Sequence, residues 1–237
     1  MRSRGSTVVA LSACVLLAGC SAQVADPPAL RIAEVAKPSP VRALAQVLPS
    51  ADELTAMLGA AGFSGQLVEG GPDVLLRSVG HAEATPADCV STGYPLQHTV
   101  YDAGPVRTVA SQSWAGGDAG GPSASGFFGV VQFATVDDAR EFFAAAADKW
   151  HRCNGETLVL HHPGSQTSAA GRITDVTVDH STISAIVLHD AGSTVQRALG
   201  IATDCVVEVE ISERAGPDPM GARDAVSVAD LMLQKID

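Results

Sequence analysis

Residues 126–153 read GFFGVVQFATVDDAREFFAAAADKWHRC, and this stretch decides how the chain folds. Its opening part is apolar at both odd and even positions: Phe127, Phe128, Val130, Val131 and Phe133 would point to opposite sides of a strand. A strand with two apolar faces belongs at the centre of a sheet that is covered on both sides. At Thr135, an N-cap with Asp138 three residues on, the period changes. Val136, Ala139, Phe143, Ala146, Trp150 and Cys153 recur at three- and four-residue steps, which predicts an amphipathic helix over 136–153, followed by Gly155.

The flanking sequence extends this unit in both directions. Upstream, Ser50 and Glu53 form a capping box for a helix whose apolar face is Leu54, Met57 and Leu58, with Gly59 or Gly62 ending it. A Gly-rich turn and an alternating piece near residues 73–79 follow. Residues 80–104 read as loop that could hold a helical turn, and 106–114 as a weakly alternating strand. The glycines and proline of 115–125 predict a flexible hairpin loop before the strand at 126–134. Downstream, 157–161, 172–179, 183–189, 194–200 and 203–212 alternate with period two, with a hairpin at His180-Ser181-Thr182. In the last of these, Cys205, Val207, Val209 and Ile211 share an apolar face, while Asp204, Glu208 and Glu210 share one expected to be solvated. A closing helix is expected over about 218–235, with Val226, Ala229, Leu233 and Ile236 on one face. Runs of strands without regular βαβ alternation predict an α+β fold with a mostly antiparallel sheet.

Composition excludes some functions. The 237 residues include 15 Lys or Arg against 26 Asp or Glu, a formal charge of −11, with no basic run. That balance argues against nucleic acid, whose phosphates require a basic footprint. The first 19 residues read as a lipoprotein signal peptide: Arg2 and Arg4 precede an apolar stretch over 8–17, too short to anchor in a bilayer. It ends in Leu17-Ala18-Gly19-Cys20, which resembles the lipobox of bacterial lipoproteins and implies diacylglyceryl transfer to Cys20 and cleavage before it. The expected address is therefore the extracytoplasmic face of the cell membrane, with Cys20 as the lipid anchor. Cleavage removes Arg2 and Arg4, leaving 13 basic against 26 acidic residues. Residues 20–47, rich in Pro and Ala, read as a tether that could extend roughly 90 Å at about 3.1 Å per residue. The folded domain is expected over 48–237.

Cys14 leaves with the signal, so Cys89, Cys153 and Cys205 remain for an oxidising compartment. Cys205 lies on an apolar strand face, where a thiol acts as a small hydrophobe. The expected bridge is Cys89–Cys153, with Cys205 reduced and buried. No Cys-x-x-Cys spacing suggests zinc. No nucleophile elbow, Ser-x-x-Lys, P-loop or dinucleotide fingerprint is present, so no catalytic residue, cofactor or metal is assigned. The scattered histidines, including His162, His180 and His189, read as a solvated sheet edge.

Several segments together resemble the PknH-like extracellular domain, the sensor domain of a mycobacterial receptor kinase that also occurs in free-standing lipoproteins. They are Leu48 to Leu54 with Leu58-Gly59, Asp88-Cys89, the unit from Val130-Val131-Gln132-Phe133 to Gly155, Gln196-Arg197-Ala198-Leu199, and Asp204 to Val209. The resemblance covers roughly 48–237. It implies a twisted antiparallel sheet flanked by helices, a cleft as ligand site and a bridge matching Cys89–Cys153. It also implies a second bridge where this chain has Val195 and a residue near Ser212.

The sequence thus points to a cell-envelope lipoprotein whose domain binds a small molecule or envelope component. Tyr94, Tyr101, Gln112, Trp114 and Arg197 are the candidate ligand contacts: aromatic walls, a polar partner and a cation for an anionic group. A module docking a protein partner through Phe63 or the 80–104 loop is the second reading. A hydrolase with unrecognised residues is the third.

Overall fold

The two-faced apolar strand lies in the interior of a sheet with helices on both sides. The structure, a computed structural model, describes residues 38–80, 83–118, 121–161, 168–190, 192–213 and 222–236. Its strands are β1 (Gly62–Ser64), β2 (Val68–Gly70), β3 (Ala84–Thr85), β4 (Val106–Asp118), β5 (Gly121–Phe133), β6 (Thr157–His161), β7 (Ser168–Val178), β8 (Thr182–His189), β9 (Thr194–Ala202) and β10 (Cys205–Glu213). Its α-helices are α1 (Ala51–Leu58), α2 (Val90–Gly93), α3 (His98–Tyr101), α4 (Val136–Cys153) and α5 (Arg223–Gln234). The strands form one open sheet in the order β1-β4-β5-β10-β9-β8-β7-β6-β3, with β2 also on the edge of β4. Every strand pairing is antiparallel, so the fold is α+β as expected.

Helix α4 has the bounds read from its periodicity. Thr135 accepts the Asp138 amide through its hydroxyl, and Ala139, Phe143, Ala146, Trp150 and Cys153 are buried against the sheet. At about 1.5–3 kcal/mol per large apolar side chain, this face alone accounts for a helix in that place. The segment over 72–104 shares that side, contributing Leu75, Val79, Leu96 and Tyr101 to the same core. Cys89 and Cys153 form a disulfide that staples this segment to the end of α4, and Cys205 is free and buried. Burial pushes the Cys205 thiol up to about 12, so it stays a neutral thiol. The opposite side of the sheet holds a second core, in which α1 and α5 pack with Leu44, Leu54, Trp114, Phe128, Val209 and Met232. The Ser50–Glu53 capping box forms, and Gly59 ends α1 at φ 69°.

Several expectations change. The hairpin loop over 115–125 is largely strand, since β4 runs on to Asp118 and β5 begins at Gly121. The physical reason is Trp114, whose ring covers the glycine backbone. A Cβ added at Gly62 or Gly116 would stand 2.3 Å or 2.1 Å from it, so only glycine admits the ring. Residues 73–79 hold a 3-10 turn (Pro72–Val74) rather than a strand, while 80–104, where the sequence allows a helical turn, carries two short ones, α2 and α3. The folded body begins before residue 48. Leu44, Val47 and Leu48 are buried, and Arg42 reaches Asp204, Thr203 and the Ile236 carbonyl. The closing helix is described over Arg223–Gln234; of its expected face Ala229, Leu233 and Ile236 are buried and Val226 packs partly buried beside them, the face being widened by Ala225, Val228 and Met232, while Asp218 lies outside the described residues.

The largest difference concerns β10. Glu208 and Asp204 are buried, so the strand has no solvated face over most of its length. Its alternation marks two different interiors, an apolar one under α5 and a charged one under the 91–101 segment.

Candidate functional site

The charged interior is built from β9 and β10. Arg197 on β9 and Glu208 on β10 both point to the α4 side and are 0% and 1% exposed, with an ion pair of 2.8 Å. Glu210, one pleat further and partly exposed, lies 3.8 Å from the same guanidinium. Burial raises the Glu210 carboxyl pKa, and the Arg197 charge opposes that rise. The remaining Arg197 donors go to main-chain carbonyls: Nε to Thr92 at 3.1 Å, Nη2 to Ser91 at 3.2 Å and Nη1 to Val209 at 3.4 Å. Glu208 accepts the Tyr101 hydroxyl at 2.5 Å and the Leu96 amide at 3.1 Å. Burial and the Glu208 charge hold the Tyr101 hydroxyl well above the usual phenol range, so it remains a donor. Trp150 Nε1 donates to Ser91 Oγ at 3.2 Å. Together these bonds clamp residues 91–101 onto the sheet.

That clamp forms one wall of a cleft. Tyr101 stacks on Phe142 of α4 with ring centroids 4.6 Å apart and planes at 14°, and Phe133 lies 5.1 Å from Phe142. Outside these rings a cavity of about 260 Å³ opens between α4 and the turn after α3. Val100, Pro105, Phe133, Phe142 and Ala145 supply its apolar lining, and Asp138, Glu141 and Lys149 its charged rim. A recess of about 80 Å³ adjoins it, sharing Ser91, Val100 and Lys149. This site can hold a small apolar body with polar groups turned to the rim. Among the described residues no cluster of His, Cys, Asp or Glu could hold a metal ion.

The five residues expected to contact a ligand do not meet in one cavity. Tyr101 backs the cleft behind Phe142. Arg197 is fully buried, with its donors spent on protein groups. Tyr94 is half-buried on the same side, its hydroxyl raised by burial and by Glu210. Trp114 is buried in the core on the other side of the sheet, and its Nε1 has no hydrogen-bond partner among the described residues. Gln112 lies near the sheet edge and donates to the Gly65 carbonyl at 2.9 Å. The cleft residues Phe142, Ala145 and Lys149 were missed. Their signal was Phe142, an aromatic beside Phe143 and outside the helix's main stripe.

The model of the PknH-like extracellular domain matches residues 39–235. The chain belongs to the PknH-like extracellular domain family. Its start at residue 39 agrees with the buried segment around Arg42 and Leu44. The crystal structure of the extracellular domain of PknH from Mycobacterium tuberculosis is similar over 85% of this chain and 98% of that one, with 22% identity and a TM-score of 0.71, which establishes a shared fold. An uncharacterised protein from Mycobacterium smegmatis is matched over 81% of this chain and 94% of its own, with 13% identity and a TM-score of 0.41. No curated protein matches the sequence. In this chain Val195 and Ser212, where the resemblance implied a second disulfide, stand directly opposite each other on β9 and β10. The family is one of sensor-type extracellular domains, and among the described residues no helix is long and apolar enough to cross a membrane.

Proposed function

We propose that this protein is a mycobacterial cell-envelope lipoprotein, anchored through diacylglyceryl-Cys20, whose domain binds a small molecule or envelope component without turning it over. The observation that carries the reading is the cleft beside α4: aromatic rings at its base, charged residues at its rim, and one wall held by a buried ion pair. A volume of about 260 Å³ lies just below the usual range for drug-sized ligands, so the occupant is small or enters only in part. In this reading Tyr101 positions Phe142, and Arg197 positions the 91–101 wall. Tyr94, Gln112 and Trp114 are outside the cleft lining and have no contact with the ligand.

The test is a melting-temperature screen of the protein against fractions of a mycobacterial envelope extract. Ala145→Trp fills the cleft from an exposed helical position and should abolish the shift, whereas Trp114→Ala should lower the baseline melt and keep the shift. A shift that survives Ala145→Trp would place the ligand elsewhere. Hydrolysis of generic ester or glycoside substrates would replace binding with catalysis. The anchor is tested separately, by the mass of the N-terminal peptide and by loss of detergent-phase partitioning in Cys20→Ala.

A further inference from the structure

A different surface, remote from the cleft in its chemistry, carries its own argument. β1 forms one edge of the sheet, pairing with β4 through Gly62↔Gly116, Phe63↔Ala115 and Ser64↔Trp114. The ladder bonds on either side run from the Gly117 amide to the Ala61 carbonyl and from the Gly65 amide to the Ser113 carbonyl. Antiparallel ladder bonds fall on every second residue, so Phe63 bonds to β4, and the N–H and C=O groups of Gly62 and Ser64 point away from the sheet. Among the described residues no further strand pairs with β1 or β2. Residues 63–69 are all exposed, and Phe63 is 86% exposed, with Leu67 and Val68 each at 41%. Phe63 and Val68 stand opposite Ala115 and Ser111, positions of one parity on β4, and so project from the same face. Unpaired edges with large apolar side chains are a hazard that natural sheets blunt with charge, proline or cover. Here the edge carries none of these except Glu69.

Charge selects the occupant. No Lys or Arg occurs from residue 43 to residue 76. Glu53 is paired with Lys235, while Asp52, Glu69 and Asp73 are exposed and have no ion pair among the described residues. A second copy would set this acidic edge against itself, and an anionic lipid surface would be repelled by it. We propose that the β1–β2 edge takes up an extended segment of a partner protein as an added strand, one in which apolar residues alternate with Lys or Arg. Its main chain bonds Gly62 and Ser64, its apolar side chains pack on Phe63 and Val68, and its cations face the acidic border. Because this edge is separate from the α4 cleft, its failure would leave the binding reading intact.

The experiment uses the full chain and a labelled octapeptide of alternating Val and Lys, with alternating Val and Glu as comparator, read by fluorescence anisotropy. The Lys peptide should bind, weaken as salt rises, and slow hydrogen exchange at the Gly62 and Ser64 amides. Ser64→Pro removes one outward N–H and leaves the β4 ladder in place, so it should weaken binding about tenfold with an unchanged melting temperature. Should the proline disturb folding, Phe63→Ser serves as the second variant, with the same loss expected. Equal binding of the Glu peptide, or unchanged exchange at Gly62 and Ser64 in the bound state, overturns the proposal. So does a concentration-dependent dimer lost in Phe63→Ser, or binding of phosphatidylglycerol vesicles through the same residue.

Discussion

Arg197 carries a full charge at a position with no exposed surface, where desolvation costs several kcal/mol unless the charge is paired and hydrogen-bonded. Glu208 at 2.8 Å and three main-chain carbonyls meet that demand. Arg197→Met leaves a buried carboxylate with Tyr101 and Leu96 alone, and should cost about 3–5 kcal/mol in urea unfolding. Arg197→Met combined with Glu208→Leu removes both charges and should cost less than Arg197→Met by itself. Strictly additive losses would show that the two side chains do not act as a pair. Asp204 poses the opposite case. Burial pushes its carboxyl up, yet hydrogen bonds from Gln132, its own backbone and Thr203 outweigh this and hold it below the usual range. A lowered folded value means stability that is present above the ordinary value of about 3.9 and lost as pH falls through the lower folded one. The stability gap between wild type and Asp204→Asn should therefore be constant near neutrality and close under strong acid. Glu208 was visible in the sequence on one side of an alternating strand, but its burial was not, because alternation reports a change of chemistry between faces and not which face meets water. Asp204 precedes β10 and is buried instead against Gln132 and Arg42.

Among the elements, the strand–helix unit of β5 and α4 was legible because its two signals are local: apolar residues of both parities, then a stripe at 3.6-residue period beginning at a threonine cap. The segment before α1 was not. Its prolines and alanines resemble the tether they continue, yet Gln132 binds the Pro40 carbonyl, Arg42 bridges to Asp204 and the Ile236 carbonyl, and Leu44 is 0% exposed. Leu44→Ala should therefore destabilise the domain by about 2–5 kcal/mol in denaturant titration, where a tether residue would have no effect. The hairpin of β4 and β5 was hidden for a related reason. Its glycines lower strand propensity, and only a ring from Trp114 lying over Gly62 and Gly116 makes them suitable.

At the scale of the molecule, the Cys89–Cys153 bridge joins the segment that walls the cleft to the end of the helix that floors it. Closing a loop of sequence separation 64 contributes about 4 kcal/mol by the chain-entropy estimate. Cys89→Ser with Cys153→Ser should lower the melting temperature by roughly 10 °C. Hydrogen exchange in the same variant should rise in residues 87–101 before it rises in β5 or β10. The α+β class, the central strand, α4, the disulfide pairing and the strongly acidic charge balance can be read without the fold, since each is written in residue type, spacing or phase along a continuous stretch. The chain fold alone makes Glu208 and Arg197 interior, puts Trp114 and Tyr101 on opposite sides of the sheet, and brings Phe142 and Ala145 to the cleft. Those facts depend on which segment covers which face. Covering is a contact between residues far apart in the chain, such as Thr92 with Arg197 or Tyr101 with Glu208, and no local pattern encodes it.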